Sequence, residues 1–222
     1  MVRMRSLSLI AEFFDRLSET PVIGVLRGCP TEHVIAIARA AASSGIQLLE
    51  VTLDTPDAAQ QIELICEGVP EAFVGAGTVR SRDQVDVAVL AGARFVVGPS
   101  TRTSVLARAV ALDIPCVPGA ATASEIEHAI DLGATAVKIF PAEQLGGPAY
   151  LKALRAPLHG IPLLPSGGVD TSNAASYLAA GAVGVFAGGR VFSSDALAAG
   201  NCSAIAEAAT RLAETITCAS MW

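Results

Sequence analysis

Short apolar runs alternate with longer, alanine-rich stretches of helical period along nearly the whole chain, and the runs number eight. They are Val22 to Leu26, Leu48 to Leu53, Phe73 to Gly77, Phe95 to Val97, Cys116 to Val117, Ala136 to Phe140, Leu163 to Leu164 and Val183 to Phe186. Each is followed by a segment long enough for one helix, such as Thr31 to Ser44, Ser81 to Ala91, Ser124 to Leu132 or Ser203 to Thr217. A strand, a helix and a second strand make a right-handed unit with a parallel sheet, and eight such units in a row imply closure. The expected architecture is therefore α/β, a (β/α)8 TIM barrel; a doubly wound open sheet is the competing arrangement of the same alternation. Thr31, Ser81, Thr122 and Thr171 stand where helix caps belong, and Gly45, Gly92, Gly133 and Gly181 where helices stop.

The 222 residues suit one barrel domain spanning 1-222, and no linker or low-complexity segment divides them. At 52% hydrophobic and 16% charged, the chain has material for a large core. A net charge of −6 without a Lys/Arg cluster points away from nucleic acid and anionic membranes and toward small molecules or further copies of the chain itself as partners. Before the first run, Leu7, Ile10, Phe14 and Leu17 fall at helical spacing, so an extra amphipathic N-terminal helix is expected beneath the barrel. Glu12, Asp15 and Arg16 interrupt the stretch, no small-residue cleavage site follows, and no run of 18 apolar residues occurs, so the cytoplasm is the expected compartment. Cys29, Cys66, Cys116, Cys202 and Cys218 are widely spaced and form no C-x-x-C pair, which argues against disulfides and zinc. Cys116 reads as a buried structural thiol, and no metal-ligand set is evident among His33, His128 and His159.

One of only two lysines, Lys138, lies inside the sixth apolar run, between Val137 and Ile139. Removing an ammonium from water costs several kcal/mol unless it is paired or gives up its proton. A free lysine, with a pKa of about 10.4, is almost wholly protonated at neutral pH, and desolvation is the usual way to make it a nucleophile. Schiff-base chemistry and a structural ion pair are the two readings. Glu50, in Leu48-Leu49-Glu50-Val51, is a carboxylate on another strand and would serve either: as general acid/base or as salt-bridge partner.

In a barrel the chemistry sits at the carboxyl ends of the strands, and that rule gathers Arg27, Glu50, Thr78, Pro99 with Ser100, Lys138, Ser166 and Arg190 on one rim. Ser166-Gly167-Gly168 and Gly188-Gly189-Arg190 follow the last two strands, where bare backbone N–H groups converge on phosphate in many barrels. Simple turn geometry is the other reading of each glycine pair. Gly75-Ala76-Gly77 lacks the third glycine of a dinucleotide fingerprint.

These strings resemble the family of 2-keto-3-deoxy-6-phosphogluconate aldolases, which includes 4-hydroxy-2-oxoglutarate aldolases. The resemblance runs almost end to end, through Leu49-Glu50-Val51-Thr52-Leu53, Gly75-Ala76-Gly77-Thr78, Lys138-Ile139-Phe140-Pro141-Ala142-Glu143, Ser166-Gly167-Gly168 and Asp195-Ala196-Leu197. It implies a class I aldolase in which Lys138 forms the imine and Glu50 shuttles protons, releasing pyruvate and glyceraldehyde 3-phosphate with no metal or cofactor. It further implies that Thr78 holds the pyruvate carboxylate, that Pro99 and Phe140 wall the pocket, and that Ser166, Gly167, Gly168, Gly188 and Gly189 surround the phosphate of a phosphorylated keto-acid substrate. A homotrimer is also implied. Two positions depart from the pattern. Asp54 stands where many members carry arginine, and Arg27 matches the arginine of the related 6-phosphogalactonate aldolases, which assigns the carboxylate to Arg27. Arg190 stands where the phosphogluconate enzymes often carry serine, and is expected at the phosphate. Outside this family, the residues also allow a phosphosugar isomerase or epimerase, or a non-catalytic phosphate-binding barrel.

Overall fold

A computed structural model describes residues 2–219, with side chains from 9 to 217, so Leu7 and Cys218 lie outside the described side chains. Parallel strands β1 (Val22–Leu26), β2 (Leu48–Thr52), β3 (Phe73–Gly77), β4 (Val96–Val97) and β5 (Cys116–Val117) run side by side, and β9 (Val185–Ala187) pairs with the far edge of β1. A second sheet holds β6 (Gly119–Ala120), β7 (Val137–Ile139) and β8 (Leu163–Pro165). The Val183 N–H donates to the Leu163 carbonyl at 3.0 Å and links β8 to the segment entering β9. The strands thus close as a TIM barrel, and the open-sheet alternative falls.

The expected fifth strand is split. Pro118 has no N–H to give the ladder, so β5 pairs back to β4 while β6 pairs forward to β7. Gly119 is held at the split because a Cβ there would collide with the Pro99 carbonyl oxygen.

Both faces of each strand are buried, which is why the strands read as continuous apolar runs rather than alternating ones. One alternate set, including Val51, Val74, Val137 and Leu163, packs on the surrounding helices. The other set, including Ile23, Val25, Leu48, Phe73, Phe95, Val117 and Phe186, fills the barrel. The N-terminal helix α1 (Val2–Glu19) plugs the amino end: the Phe13 ring lies 5.4 Å from Phe95, and Phe73 stacks on Phe95 at 5.8 Å. Truncating a ring so placed costs about 3–5 kcal/mol. The buried stripe is Phe13 and Leu17, with Leu9 and Phe14 partly covered; Ile10 is exposed, contrary to the expected face. Either set fits a helical period, and the reach of Phe13 to the aromatic layer decides between them.

Helices α2 (Val34–Ser43), α3 (Ala58–Gly68), α4 (Arg82–Leu90), α5 (Thr103–Ala111), α6 (Ala123–Asp131), α7 (Gly147–Arg155) and α8 (Ala174–Ala179) follow successive strands. Ser81 caps α4, Thr122 forms a capping box with Glu125, and the four stop glycines have φ of 90° to 97°. Thr31 instead opens a 3-10 turn at Thr31–His33. Thr171 lies in a turn where Asp170 accepts from Ser172, and α8 starts only at Ala174. After β9 a short helix α9 (Ser194–Ala198), capped by Ser193, precedes α10 (Cys202–Ala219) and was not expected. Among the described residues no helix is long and apolar enough to cross a membrane.

Candidate active site

The alternation that fills the barrel puts Glu50 of β2 and Lys138 of β7 on its inner face, one layer above the aromatic floor. Both side chains are buried, and Lys138 Nζ stands 3.9 Å from Glu50 Oε1. The second carboxyl oxygen, Oε2, is inaccessible and has no hydrogen-bond partner among the described residues. Such an atom costs stability unless something outside the protein fills its acceptors. Gly77 makes room for it: a Cβ there would fall 2.8 Å from Glu50 Cδ.

Burial governs the acid–base state of the pair. It lowers the Lys138 pKa, with Arg27 acting in the same direction and Glu50 opposing. It raises that of Glu50, with Asp54 adding to the effect and Lys138 and Arg27 opposing. Each group is therefore pushed toward its neutral form, an amine beside a carboxylic acid. Phe186, whose ring centroid lies 4.6 Å from Nζ, and Phe140, at 5.5 Å, supply the dry wall.

Arg27 follows β1, and its Nη2 donates to Thr78 Oγ1 at 3.1 Å while Nη1 pairs with Asp54. Thr78 has φ of 57°, left-handed backbone for a β-branched residue, a strain of about 1–3 kcal/mol of the kind kept at functional sites. The two positions of the first departure are thus paired in the structure: Asp54 is the counter-charge of Arg27.

The cavity above the pair measures about 570 Å³. Of the residues singled out in the sequence, Arg27, Glu50, Thr78, Pro99, Lys138, Phe140, Ser166, Gly167, Gly168, Gly188, Gly189 and Arg190 line it. Ser100 does not; it borders a shallower groove with His128. Lys152 is exposed on α7. Sequence reasoning missed Val25, Arg80, Val169, Phe186, Phe192 and Ser194, which also line the cavity. Val25 and Phe186 were visible as inward positions of their runs, and Arg80 as a second cation two residues past Thr78. Cys116, raised by burial to about 12, is an inert core thiol. No group of three or more His, Cys, Asp or Glu suited to a metal occurs among the described residues.

A closed (β/α)8 barrel with a desolvated lysine and carboxyl group beneath a carboxyl-end cavity is an arrangement suited to an aldolase, a lyase that works through a lysine imine. Residues 14–208 match the family model for KDPG and KHG aldolase, and the chain belongs to that family. It is 37% identical over 196 residues to the 2-dehydro-3-deoxy-phosphogluconate aldolase of Treponema pallidum, covering 88% of this chain and 92% of that one. The 2-dehydro-3-deoxy-6-phosphogalactonate aldolase of Escherichia coli is 35% identical, over 79% of this chain and 86% of its own. A KDPG aldolase structure from Legionella pneumophila, with pyruvate captured as a covalent carbinolamine, superposes with a TM-score of 0.84 at 32% identity, covering 90% and 97%.

Proposed function

We propose that this chain is a class I aldolase that cleaves 2-keto-3-deoxy-6-phosphogluconate to pyruvate and glyceraldehyde 3-phosphate. The observation that carries the reading is the buried Lys138–Glu50 pair, 3.9 Å apart, under a cavity of the right chemistry. The neutral Lys138 amine adds to the C2 ketone, and Glu50, as the acid, protonates the departing hydroxyl, so that water leaves, a protonated imine forms and Glu50 becomes a carboxylate. Glu50, as carboxylate, takes the C4 hydroxyl proton; the C3–C4 pair moves toward the iminium nitrogen, the aldehyde departs and an enamine remains. Glu50, now an acid, returns a proton to C3, and water hydrolyses the imine to pyruvate and free lysine. Arg27 and Thr78 hold the substrate carboxylate. Pro99 and Phe140 shape the pocket. Ser166, Gly167, Gly168, Gly188, Gly189 and Arg190 form the phosphate end, whose backbone donors lie after β8 and β9.

Arg27 also supports a second reading, the same chemistry on the 6-phosphogalactonate epimer, because the arginine after β1 is the feature that resembles those enzymes. The unphosphorylated 4-hydroxy-2-oxoglutarate is a further candidate substrate. One domain over 1-222, a homotrimer and a cytoplasmic location complete the proposal; the domain rests on length, the location on the sequence pattern, and the homotrimer on the resemblance to the family alone.

Borohydride reduction in the presence of pyruvate, followed by peptide mapping, tests the imine: a reduced pyruvyl adduct at Lys138 is expected, and an adduct confined to Lys152 would refute the mechanism. Arg27→Ala is expected to raise KM for pyruvate in condensation about 10- to 100-fold, the worth of one charge-assisted contact; an unchanged KM returns the carboxylate to another group. Gly77→Ala is expected to spare the fold, since the crowded atoms belong to the end of a flexible side chain, yet to lower kcat about 100-fold by displacing the Glu50 carboxyl. Thermal unfolding and kcat measured on the same sample separate the two effects.

A further inference from the structure

The mouth of the cavity carries a network of charges whose meaning rests on the aldolase reading. Arg190, in the loop after β9, reaches over the glycine turn that follows β8. Its Nη2 donates to Glu143 Oε2 at 2.6 Å, and its Nη1 donates to the Gly168 carbonyl at 2.9 Å and to Asp170 Oδ2 at 3.3 Å. One guanidinium therefore ties the loops after β7, β8 and β9 together. Glu143 rests on the turn itself, because a Cβ at Gly168 would collide with Glu143 Oε2. The hydroxyl of Ser172 donates to Asp170 and holds that carboxyl below its usual range, so it is charged at neutral pH.

Two carboxylates thus flank the glycine turn after β8, where the proposed function puts the phosphate, and like charges beside a dianion cost binding. Both terminal nitrogens of Arg190 donate to protein acceptors, through three of their four N–H groups. We propose that Arg190 is a specificity-determining residue that acts by screening Glu143 and Asp170, so that the mouth accepts an aldehyde ending in a phosphate dianion over one ending in a neutral hydroxyl. In this scheme Glu143 is a positioning residue for Arg190, and serine at position 190 would leave both carboxylates bare toward the phosphate.

The test is pyruvate condensation with glyceraldehyde 3-phosphate and with glyceraldehyde, compared as the ratio of kcat/KM values. Arg190→Ser is expected to lower that ratio on the order of 100-fold while KM for pyruvate, set at the other end of the cavity, stays the same. Adding Glu143→Gln to Arg190→Ser is expected to recover at least about tenfold, because the repelling charge has gone. An unchanged ratio in the serine variant overturns the proposal, and so does a fall that Glu143→Gln does not recover, which would make Arg190 a direct ligand. Should the serine variant not fold, Arg190→Lys keeps the charge without the fork: a ratio within about tenfold of wild type supports screening, and a collapsed ratio refutes it. Wild-type protein that condenses pyruvate with neither aldehyde overturns the aldolase reading, and this inference with it.

Discussion

Lys138→Met is expected to abolish pyruvate release, by roughly 10⁵- to 10⁶-fold, while leaving the barrel at least as stable as before near about pH 5, where Glu50 can take up a proton in place of its lost counter-charge. The loss follows from removal of the nucleophile; among the described residues no other buried amine lies on the inner face of the barrel, and Lys152 is exposed on α7. The stability follows from burial. An ammonium whose folded pKa is lowered destabilises the fold fully below that folded pKa, and the cost vanishes only above the unfolded value. Glu50 has the opposite dependence: with its folded pKa raised, it costs nothing below the unfolded value and its full penalty at higher pH. Methionine removes the first cost and deprives Glu50 of its counter-charge, which worsens the second. The variant should thus unfold at a higher temperature than wild type near about pH 5, and this advantage should shrink or reverse near about pH 9. Scanning calorimetry across that range checks the sign. A variant that is stabilised and still releases pyruvate at the wild-type rate would make the pair a structural salt bridge.

Glu50→Gln carries the second-largest effect, a fall in turnover of about 10²- to 10⁴-fold with imine formation retained. Glutamine keeps the shape but can neither accept the C4 hydroxyl proton nor return one to C3. The variant should therefore trap with borohydride and pyruvate at Lys138, yet fail to exchange the pyruvate methyl protons for solvent deuterium. Exchange and turnover at wild-type rates would remove Glu50 from the mechanism. The buried, unpartnered Oε2 is the structural reason to expect a large effect, since a carboxyl group serving only as counter-ion would have its acceptors filled.

How far these residues were legible in sequence depended on whether their signal was local. Lys138 and Glu50 announced themselves because a charge inside an apolar run is a conflict visible within a few residues. The stop glycines and the Ser81 and Thr122 caps are equally local, and all took the expected geometry. The break at Pro118 was also present in the chain, but its effect depends on which neighbour lacks a donor, and that requires the pairing of β5 and β6 with different strands. Pairings over long separations were not legible at all. Arg27 meets Asp54 across 27 positions and Arg190 meets Glu143 across 47, so two isolated departures from a family pattern became counter-charged units only in three dimensions. Helix α9 was missed because a single turn carries too little periodicity to distinguish from a loop.

The aromatic plug at the opposite end of the barrel bears on the chemistry as well as on the packing. Phe13 of α1 seals the layer of Phe73 and Phe95 on which the inward residues rest, while the cavity above is lined by residues at the strand carboxyl ends. The barrel is thus a vessel stoppered from below by a segment that contributes no strand and touches no reacting atom. The desolvation of Lys138 depends on that stopper, because solvent rising from the amino end would rehydrate the amine and undo the lowering of its pKa.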